Sequence, residues 1–235
     1  MRNSKYLNFL SKFGIGGAHP GGLALTQELF TIENINKDTR VLDVGCGTGQ
    51  TAAYLAKTYG AQVTGIDIDP LMVKKAQERM RKERLPVDIM QGSIEQISLQ
   101  DQTFDVIISE SVLSFVHTPQ ALKEVFRLLR NGGQFIANEL IITQPFEAVT
   151  EKEIKEFYGF ESIFTEQHWL TCLQQAGFTN IRSVKKRPID QSHSTLEFHY
   201  SHDIEPGLYE IMDQHVEMTV KYKDIWDYRI FLCTK

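Results

Sequence analysis

The chain is poor in cysteine. Cys46, Cys172 and Cys233 are the only three in 235 residues, too few and too scattered for a disulfide framework or a zinc site. No apolar run is long enough to cross a bilayer, and the opening "MRNSKYLNFLSKFG" lacks the long apolar core and small-residue cleavage site of a signal peptide. These absences predict a cytoplasmic protein with no membrane partner. Positive charge is not in excess either: the formal net charge is −5. Neutralising phosphates requires a basic surface, so nucleic acid is not an expected partner. The one basic run, Lys185 to Arg187, reads as a solvated strand end. His193, His199 and His202 lack the helical two-histidine spacing with a glutamate, so no metal is expected. There is no internal repeat and no low-complexity linker.

What is present is an alternation. Val41 to Val44 reads as a strand and leads into a helix from about Gly49 to Thr58. "AQVTGIDI" is a second strand, after which Asp69 caps a helix with Pro70 in its first turn. Met72, Ala76 and Met80 share one face of that helix. "PVDIMQG" and "FDVIISE" are a third and a fourth strand. Thr118 and Pro119 open a helix on which Leu122, Val125, Phe126 and Leu129 recur at helical spacing, with Asn131-Gly132-Gly133 as its stop. "QFIANELII" is a fifth strand. Such alternation implies a mostly parallel sheet covered on both faces, with ligands beyond the carboxyl ends of the strands. Later, "TEKEIKEFYGF" reads as a helix. Thr165 caps another, on which Trp169, Leu173 and Ala176 share a face and which Gly177 ends. "TNIRSVKKRP" reads as a strand. Pro206 starts a helix with Leu208, Ile211, Met212, His215, Val216 and Thr219 on one side, and "DYRIFLCTK" closes the chain as a strand.

The turn after the first strand, "VLDVGCGTGQ", holds Gly45, Gly47 and Gly49. A glycine-rich turn can be a tight turn and nothing more. It can also be a dinucleotide fingerprint, G-x-G-x-x-G, but Gln50 stands where the third glycine belongs. What remains, G-x-G-x-G, resembles the first motif of the class I S-adenosylmethionine-dependent methyltransferases. The resemblance continues through "VTGIDIDP", "GSIEQI", "FDVIISESVLSFV" and "LLRNGGQFI", over roughly residues 38 to 142.

The resemblance implies S-adenosyl-L-methionine as cofactor and a set of residues to hold it. Gly45, Cys46, Gly47 and Gly49 would let it approach the backbone, and free N–H groups of the following helix suit an electron-rich group. Asp43 would orient the loop or meet the ammonium, directly or through water. Asp67, 18 residues past Gly49, would accept both ribose hydroxyls, with Ile68 beside it. The family usually has an acid next to the adenine. Here Ser93 stands there, so adenine contact falls to Ser93, the backbone of Ile94, or Glu95, which could equally be a solvated loop residue.

Methyl transfer from a sulfonium mainly needs alignment and exclusion of water, with a general base only where the acceptor must lose a proton. Glu110, after the fourth strand, is a candidate for binding the cofactor or acceptor or for acting as base; its alternative is a helix cap. Glu139 could point into the same mouth, though an outward position is preferred. His117 reads as part of the turn before Pro119. "GIGGAHPGGLALTQEL" carries His19 in a glycine-rich segment that is either mobile or closely packed. An H-P-G-G segment before the first motif is similar to that of small-molecule methyltransferase-like proteins. It makes His19 a candidate for a lid over the reactive centre, against a plain surface loop. Tyr158, Phe160 and Trp169 either wall an acceptor pocket or, by the preferred reading, belong to the core.

The expected fold is therefore α/β, a Rossmann-like αβα sandwich with a seven-stranded, mostly parallel sheet and an antiparallel last strand. Residues 1–37 are expected as an N-terminal helical cap, residues 38–235 as the methyltransferase domain, with cap insertions at about 143–164 and 190–226. The expected activity is methyl transfer to a small-molecule acceptor, with a non-catalytic cofactor-binding protein and a nicotinamide oxidoreductase as alternatives.

Overall fold

Strand β2 (Arg40–Val44) is buried over its last four residues, as a strand covered on both faces must be. It is the centre from which the sheet is wound. The computed structural model describes residues 4–31, 34–185 and 196–235. Its strands are β1 (Ile15–Gly16), β2, β3 (Gln62–Asp67), β4 (Asp88–Gln91), β5 (Phe104–Glu110), β6 (Leu129–Ile142), β7 (Thr179–Val184), β8 (Glu197–Phe198) and β9 (Trp226–Thr234). Its helices are α1 (Lys5–Phe13), α2 (Gly22–Phe30), α3 (Gln50–Tyr59), α4 (Pro70–Glu83), α5 (Thr118–Leu128), α6 (Ala148–Tyr158), α7 (Glu166–Gln175) and α8 (Gly207–Lys221).

Seven strands form one sheet in the order β4-β3-β2-β5-β6-β9-β7. The pairs from β4 to β6 are parallel, and β9 runs antiparallel to both β6 and β7. This is the expected Rossmann-like sandwich. From β2 the chain first winds outward to β3 and β4, then returns to β5 on the other side. The strand order therefore reverses between β2 and β5, and the crevice opens there.

One face of the sheet packs against Leu122, Val125 and Leu128 of α5 and Trp169 and Leu173 of α7. The other packs against Leu25, Leu29 and Phe30 of α2 and Ala52 and Leu55 of α3. A third cluster lies at the end of the sheet, where Tyr6, Phe9 and Phe13 of α1 meet Ile154 and Tyr158 of α6 and Leu208, Ile211 and Met218 of α8, with Leu140 of β6 and Trp226 of β9 packed against it. These three helices roof the open end. Residues 1–37 thus send α1 to the roof and α2 to the sheet.

The local signals act as their chemistry requires. Asp69 caps α4 by accepting from the Leu71 and Met72 amides at 2.7 and 3.2 Å. Thr165 caps α7 by accepting from the His168 amide, and His117 sits at the N-cap of α5. In β9, Ile230 and Leu232 face one layer while Phe231 and Cys233 face the other.

Several expectations needed correction. Helix α5 stops at Leu128; Leu129 is already extended and begins β6, and Asn131-Gly132-Gly133 instead lies in a register shift between Leu129 and Gln134. On α8 Leu208 and Ile211 are buried together with Met218, while Val216 and Thr219 are exposed, because the second half of the predicted stripe lines the cavity and not the packed cluster. Trp169 is core by contrast, as the preferred reading has it: it is 1 % exposed, and its Nε1–H donates to the Leu140 carbonyl at 3.1 Å. Of the basic run, Lys185 pairs with Asp227 at 2.6 Å, while Lys186, Arg187 and His193 lie outside the described residues. Among the described residues, no helix is long and apolar enough to cross a membrane.

Trp169→Ala should destabilise the chain by about 3–5 kcal/mol, the usual cost of emptying a large core site. Denaturant unfolding measures this, and a loss under about 1 kcal/mol would place Trp169 outside the core.

Candidate active site

A cavity of about 1390 Å³ opens over the carboxyl ends of β2, β3, β5 and β6 and beneath the roof. Single-ligand pockets span roughly 300–1,000 Å³, so the space suits two ligands side by side. Its floor is the turn after β2. Gly45, Gly47 and Gly49 all have positive φ, which glycine alone adopts without strain. They differ in what surrounds them. A β-carbon on Gly45 would collide with Val112, and one on Gly49 would come within 2.7 Å of Met80. One on Gly47 would meet no protein atom within 4 Å. Two of the glycines are thus needed for packing, whereas Gly47 leaves bare backbone facing the cavity.

Asp67 fixes that turn. Its Oδ2 accepts from the Gly47 amide and its Oδ1 from the Asp69 amide, each at 2.9 Å. Each oxygen keeps a lone pair for a ligand. Burial pushes the Asp67 carboxyl up to about 6, against the pull of the amide bonds. Asp43, at the end of β2, is 3 % exposed. Burial, aided by the nearby Glu110 and Asp67 charges, holds its carboxyl well above the usual range, and its Oδ2 lacks a hydrogen-bond partner among the described residues. Cys46 is buried, and its amide donates to the Ile66 carbonyl at 2.9 Å.

After β4, Ser93 Oγ accepts from the Glu95 amide at 3.2 Å, and Ile94 is buried beneath it. Glu95 is not a free loop carboxylate: its Oε1 accepts from the His117 amide at 3.0 Å. Ile68 lines the cavity and is 39 % exposed.

Glu110 is fully engaged. Its Oε1 accepts from the Thr26 hydroxyl at 2.5 Å and its Oε2 from the Thr51 hydroxyl at 2.7 Å. His19 Nε2 lies 3.5 Å from the same Oε2. The His19 ring is oriented by Asn138, whose Nδ2 is 3.4 Å from Nδ1 and donates to the Pro20 carbonyl at 2.9 Å. With Nδ1 as acceptor, the ring proton sits on Nε2, which is buried and makes no hydrogen bond among the described residues. The side chain is 6 % exposed, so the plain surface-loop alternative fails for His19.

The glycine-rich segment is closely packed. Ile15 and Gly16 pair with Phe198 and Glu197 as a two-stranded ribbon. The Lys75 ammonium, buried under α1, donates to the carbonyls of Ser11, Lys12 and His199 at 2.8, 3.1 and 2.5 Å. That burial brings Lys75 down to about 8. Arg79 and Gln50 both bond Glu197 Oε2, at 2.7 and 2.9 Å. The ribbon therefore lies fastened to α3 and α4.

Glu139 overturns its expected outward position. It is completely buried and lines the cavity. Its Oε1 accepts from Ser109 Oγ at 3.1 Å and from the Val112 and Leu113 amides at 3.2 Å, leaving Oε2 without a partner among the described residues. Burial pushes the carboxyl up to about 8. Tyr158 and Phe160 also line the cavity, and Tyr158 Oη stands 3.1 Å from His215 Nδ1.

Residues 42–137 match the family described as a methyltransferase domain. The chain is 35 % identical over 233 residues to the uncharacterized methyltransferase YodH of Bacillus subtilis (strain 168), covering 99 % of this chain and 100 % of that one. The chain belongs to the class I S-adenosylmethionine-dependent methyltransferases. It is also 28 % identical over 206 residues to phosphoethanolamine N-methyltransferase 1 of Arabidopsis thaliana, across 83 % of this chain and 42 % of that protein. Its fold is shared with phosphoethanolamine N-methyltransferase 2 of Haemonchus contortus in complex with S-adenosyl-L-methionine, at a TM-score of 0.78 and 18 % identity, over 98 % of this chain and 56 % of that one. The methyltransferase thus spans little more than half of that larger chain.

Sequence reasoning did not single out Thr26, Thr51, Asn138 or Lys75. Thr51 and Asn138 sit beside motif residues, which is a usable hint. Thr26 and Lys75 carried no signal, since their partners lie far along the chain.

A carboxyl held above its unfolded value keeps its proton where the unfolded chain has lost it, so stability falls as pH rises through that window. For Glu139 the window runs from the ordinary 4.5 to about 8. Glu139→Gln, whose oxygen can keep the three bonds, should lose less melting temperature than wild type between pH 6 and pH 8.5. Parallel curves by calorimetry would remove Glu139 as a buried titrating group.

Proposed function

We propose that this methyltransferase holds S-adenosylmethionine over the Gly45–Gly49 turn and methylates a small-molecule acceptor bound between that turn and the roof. The observation that carries the cofactor placement is the open face of Gly47 beside the Asp67 carboxylate. When bound, S-adenosylmethionine supplies a methyl group on a positively charged sulfur. Asp67 would accept the ribose hydroxyls with its remaining lone pairs. The unpartnered Asp43 Oδ2 suits the ammonium of the amino-acid end. Ile68 and Ile94 would flank the adenine, with Ser93 and Glu95 as its polar neighbours; Cys46 and Gly45 contribute backbone.

Glu110 acts in this reading as a positioning residue. Both of its oxygens are taken by threonine hydroxyls, so it holds α2, α3 and His19 in place. His19 lines the cavity with its Nε2 buried beside Glu110. The roof of α1, α6 and α8, with the fastened ribbon, excludes water. A small acceptor fits a chamber under a roof better than a long polymer does, and relatives named for a substrate include ones named for phosphoethanolamine, for glycine, sarcosine and dimethylglycine, and for phthiotriol dimycocerosates.

Asp67→Ala should weaken binding of S-adenosylhomocysteine by at least tenfold, since a charged hydrogen bond is worth about 1.5–3 kcal/mol. Unchanged affinity by calorimetry in a folded variant would refute the placement. His19→Ala should lower kcat while changing that affinity less than threefold; equal turnover of the two proteins would take His19 out of the site.

A further inference from the structure

The roof side of the cavity is aromatic, and Tyr158 is its hub. Phe160 stacks on Tyr158 with ring centroids 5.1 Å apart, while Tyr6 and Trp226 meet it edge-on at 4.8 and 6.1 Å. All four rings line the cavity. At the rim Leu196, Phe198 and Val216 line it too, and these apolar side chains are exposed. Apolar surface gathered at the mouth of an aromatic chamber suits an apolar ligand that covers it.

Helix α8 carries a polar group into this wall. Met212, His215, Val216 and Thr219 line the cavity, and their spacing puts them on one face of the helix. His215 stands where that face meets the packed face of Leu208, Ile211 and Met218. Its ring centroid is 5.1 Å from that of Tyr6 and 5.7 Å from that of Tyr158. Tyr158 Oη lies 3.1 Å from His215 Nδ1. Burial pushes the Tyr158 phenol up to about 12, so it keeps its proton, and burial lowers the His215 imidazole, so the ring is neutral at pH 7. The phenol O–H therefore donates to Nδ1, and the ring proton sits on Nε2. That Nε2 makes no hydrogen bond among the described residues, yet unlike His19 Nε2 it is not one of the buried unpartnered atoms. It keeps accessible surface, on a side chain that lines the cavity, and so stands there as a donor without an acceptor.

Resting on the reading above, with cofactor and acceptor side by side, we propose that the acceptor is an uncharged, largely aromatic or hydrocarbon molecule that lies against the Tyr158 cluster and offers a hydroxyl or carbonyl oxygen to His215 Nε2–H. Charge argues the same way. Seven carboxylates line the cavity, and among the described residues Lys223 is the one lysine or arginine that does. A phosphate monoester calls for clustered arginine or lysine. An ammonium finds no acceptor in a neutral N–H donor. His215 thus selects among acceptors at one polar point of an apolar wall. A ligand that displaces water from Nε2–H without supplying an oxygen leaves that donor unpaired, which costs binding.

The test is calorimetric binding of four probes to the full chain saturated with S-adenosylhomocysteine: naphthalene, and naphthalene bearing at one β-position a hydroxyl, a phosphate or an aminomethyl group. The ring system is constant, and only the oxygen and the charge vary. The hydroxyl compound should bind at least tenfold more tightly than the phosphate and the amine. His215→Phe should weaken the hydroxyl compound at least fivefold and leave naphthalene within twofold, while binding of S-adenosylhomocysteine reports that the variant is folded. Equal or tighter binding of the phosphate or the amine overturns the proposal, as does no binding of the hydroxyl compound. It is equally overturned if His215→Phe weakens naphthalene as much as the hydroxyl compound, or weakens neither. Those outcomes leave the cofactor placement standing, because S-adenosylhomocysteine binding is read separately. A wild-type chain that fails to bind S-adenosylhomocysteine loses that placement and this inference together.

Discussion

The 2.9 Å hydrogen bond from the Gly47 amide to Asp67 ties the turn after β2 to the end of β3, and the site's shape depends on it. The turn contains residues in left-handed conformations, closed by the Gly49 amide donating to the Cys46 carbonyl at 2.8 Å and tied to β3 by the Cys46 amide. Asp67 adds a side-chain tie at Gly47, because the parallel register pairs Val44 with Ile66 and so brings the two strand ends level. The same carboxylate accepts from Asp69, whose own side chain caps α4. One group therefore sets the turn, the end of β3 and the start of α4 together. A shift of any of them would move the others.

The roof depends on the floor through a second set of bonds. Lys75 grows from α4, the helix that Asp69 starts, and its ammonium takes the last carbonyls of α1 and that of His199. A positive charge is favoured at a helix carboxyl end, where unsatisfied carbonyls concentrate. The ribbon of β1 and β8 is held to α3 and α4 through Glu197. The chain thus ties its N-terminal segment and the segment before α8 to the helices that flank the glycine turn. The aromatic cluster of α1, α6 and α8 then closes over a cavity whose floor is already fixed.

Much of this was legible in the sequence, because local rules wrote it. The Asp69-Pro70 start, the Thr165 cap, the strand–helix alternation and the alternating faces of β9 each depend on residues within one element. What escaped depended on distant pairing. The insertion of β9 between β6 and β7 leaves no periodic trace. The two-residue ribbon joins segments over 180 residues apart. Glu139 was misplaced for a specific reason: Asn138 and Glu139 point to opposite faces of β6, yet both are buried, since the sheet is covered on both sides. Polar alternation could not say which one faced water, because neither does. Leu129 misled in the same way, being buried whether it continues the helix or begins the strand.

The carboxyl ends of the strands concentrate acidity where water is scarce. Asp43, Asp67 and Glu139 are all pushed up by burial, and Asp43 is raised further by Glu110 and Asp67. Each of these shifts measures a preference for a proton, or for any other positive charge or donor that reaches the same oxygen. Backbone amides satisfy part of that demand at Asp67 but leave Asp43 Oδ2 and Glu139 Oε2 bare. The core of the sheet must offset the cost of keeping them so. That demand has one sign: a cationic or hydrogen-donating group that reached either bare oxygen would relieve the cost of burial there, and an anion would add to it.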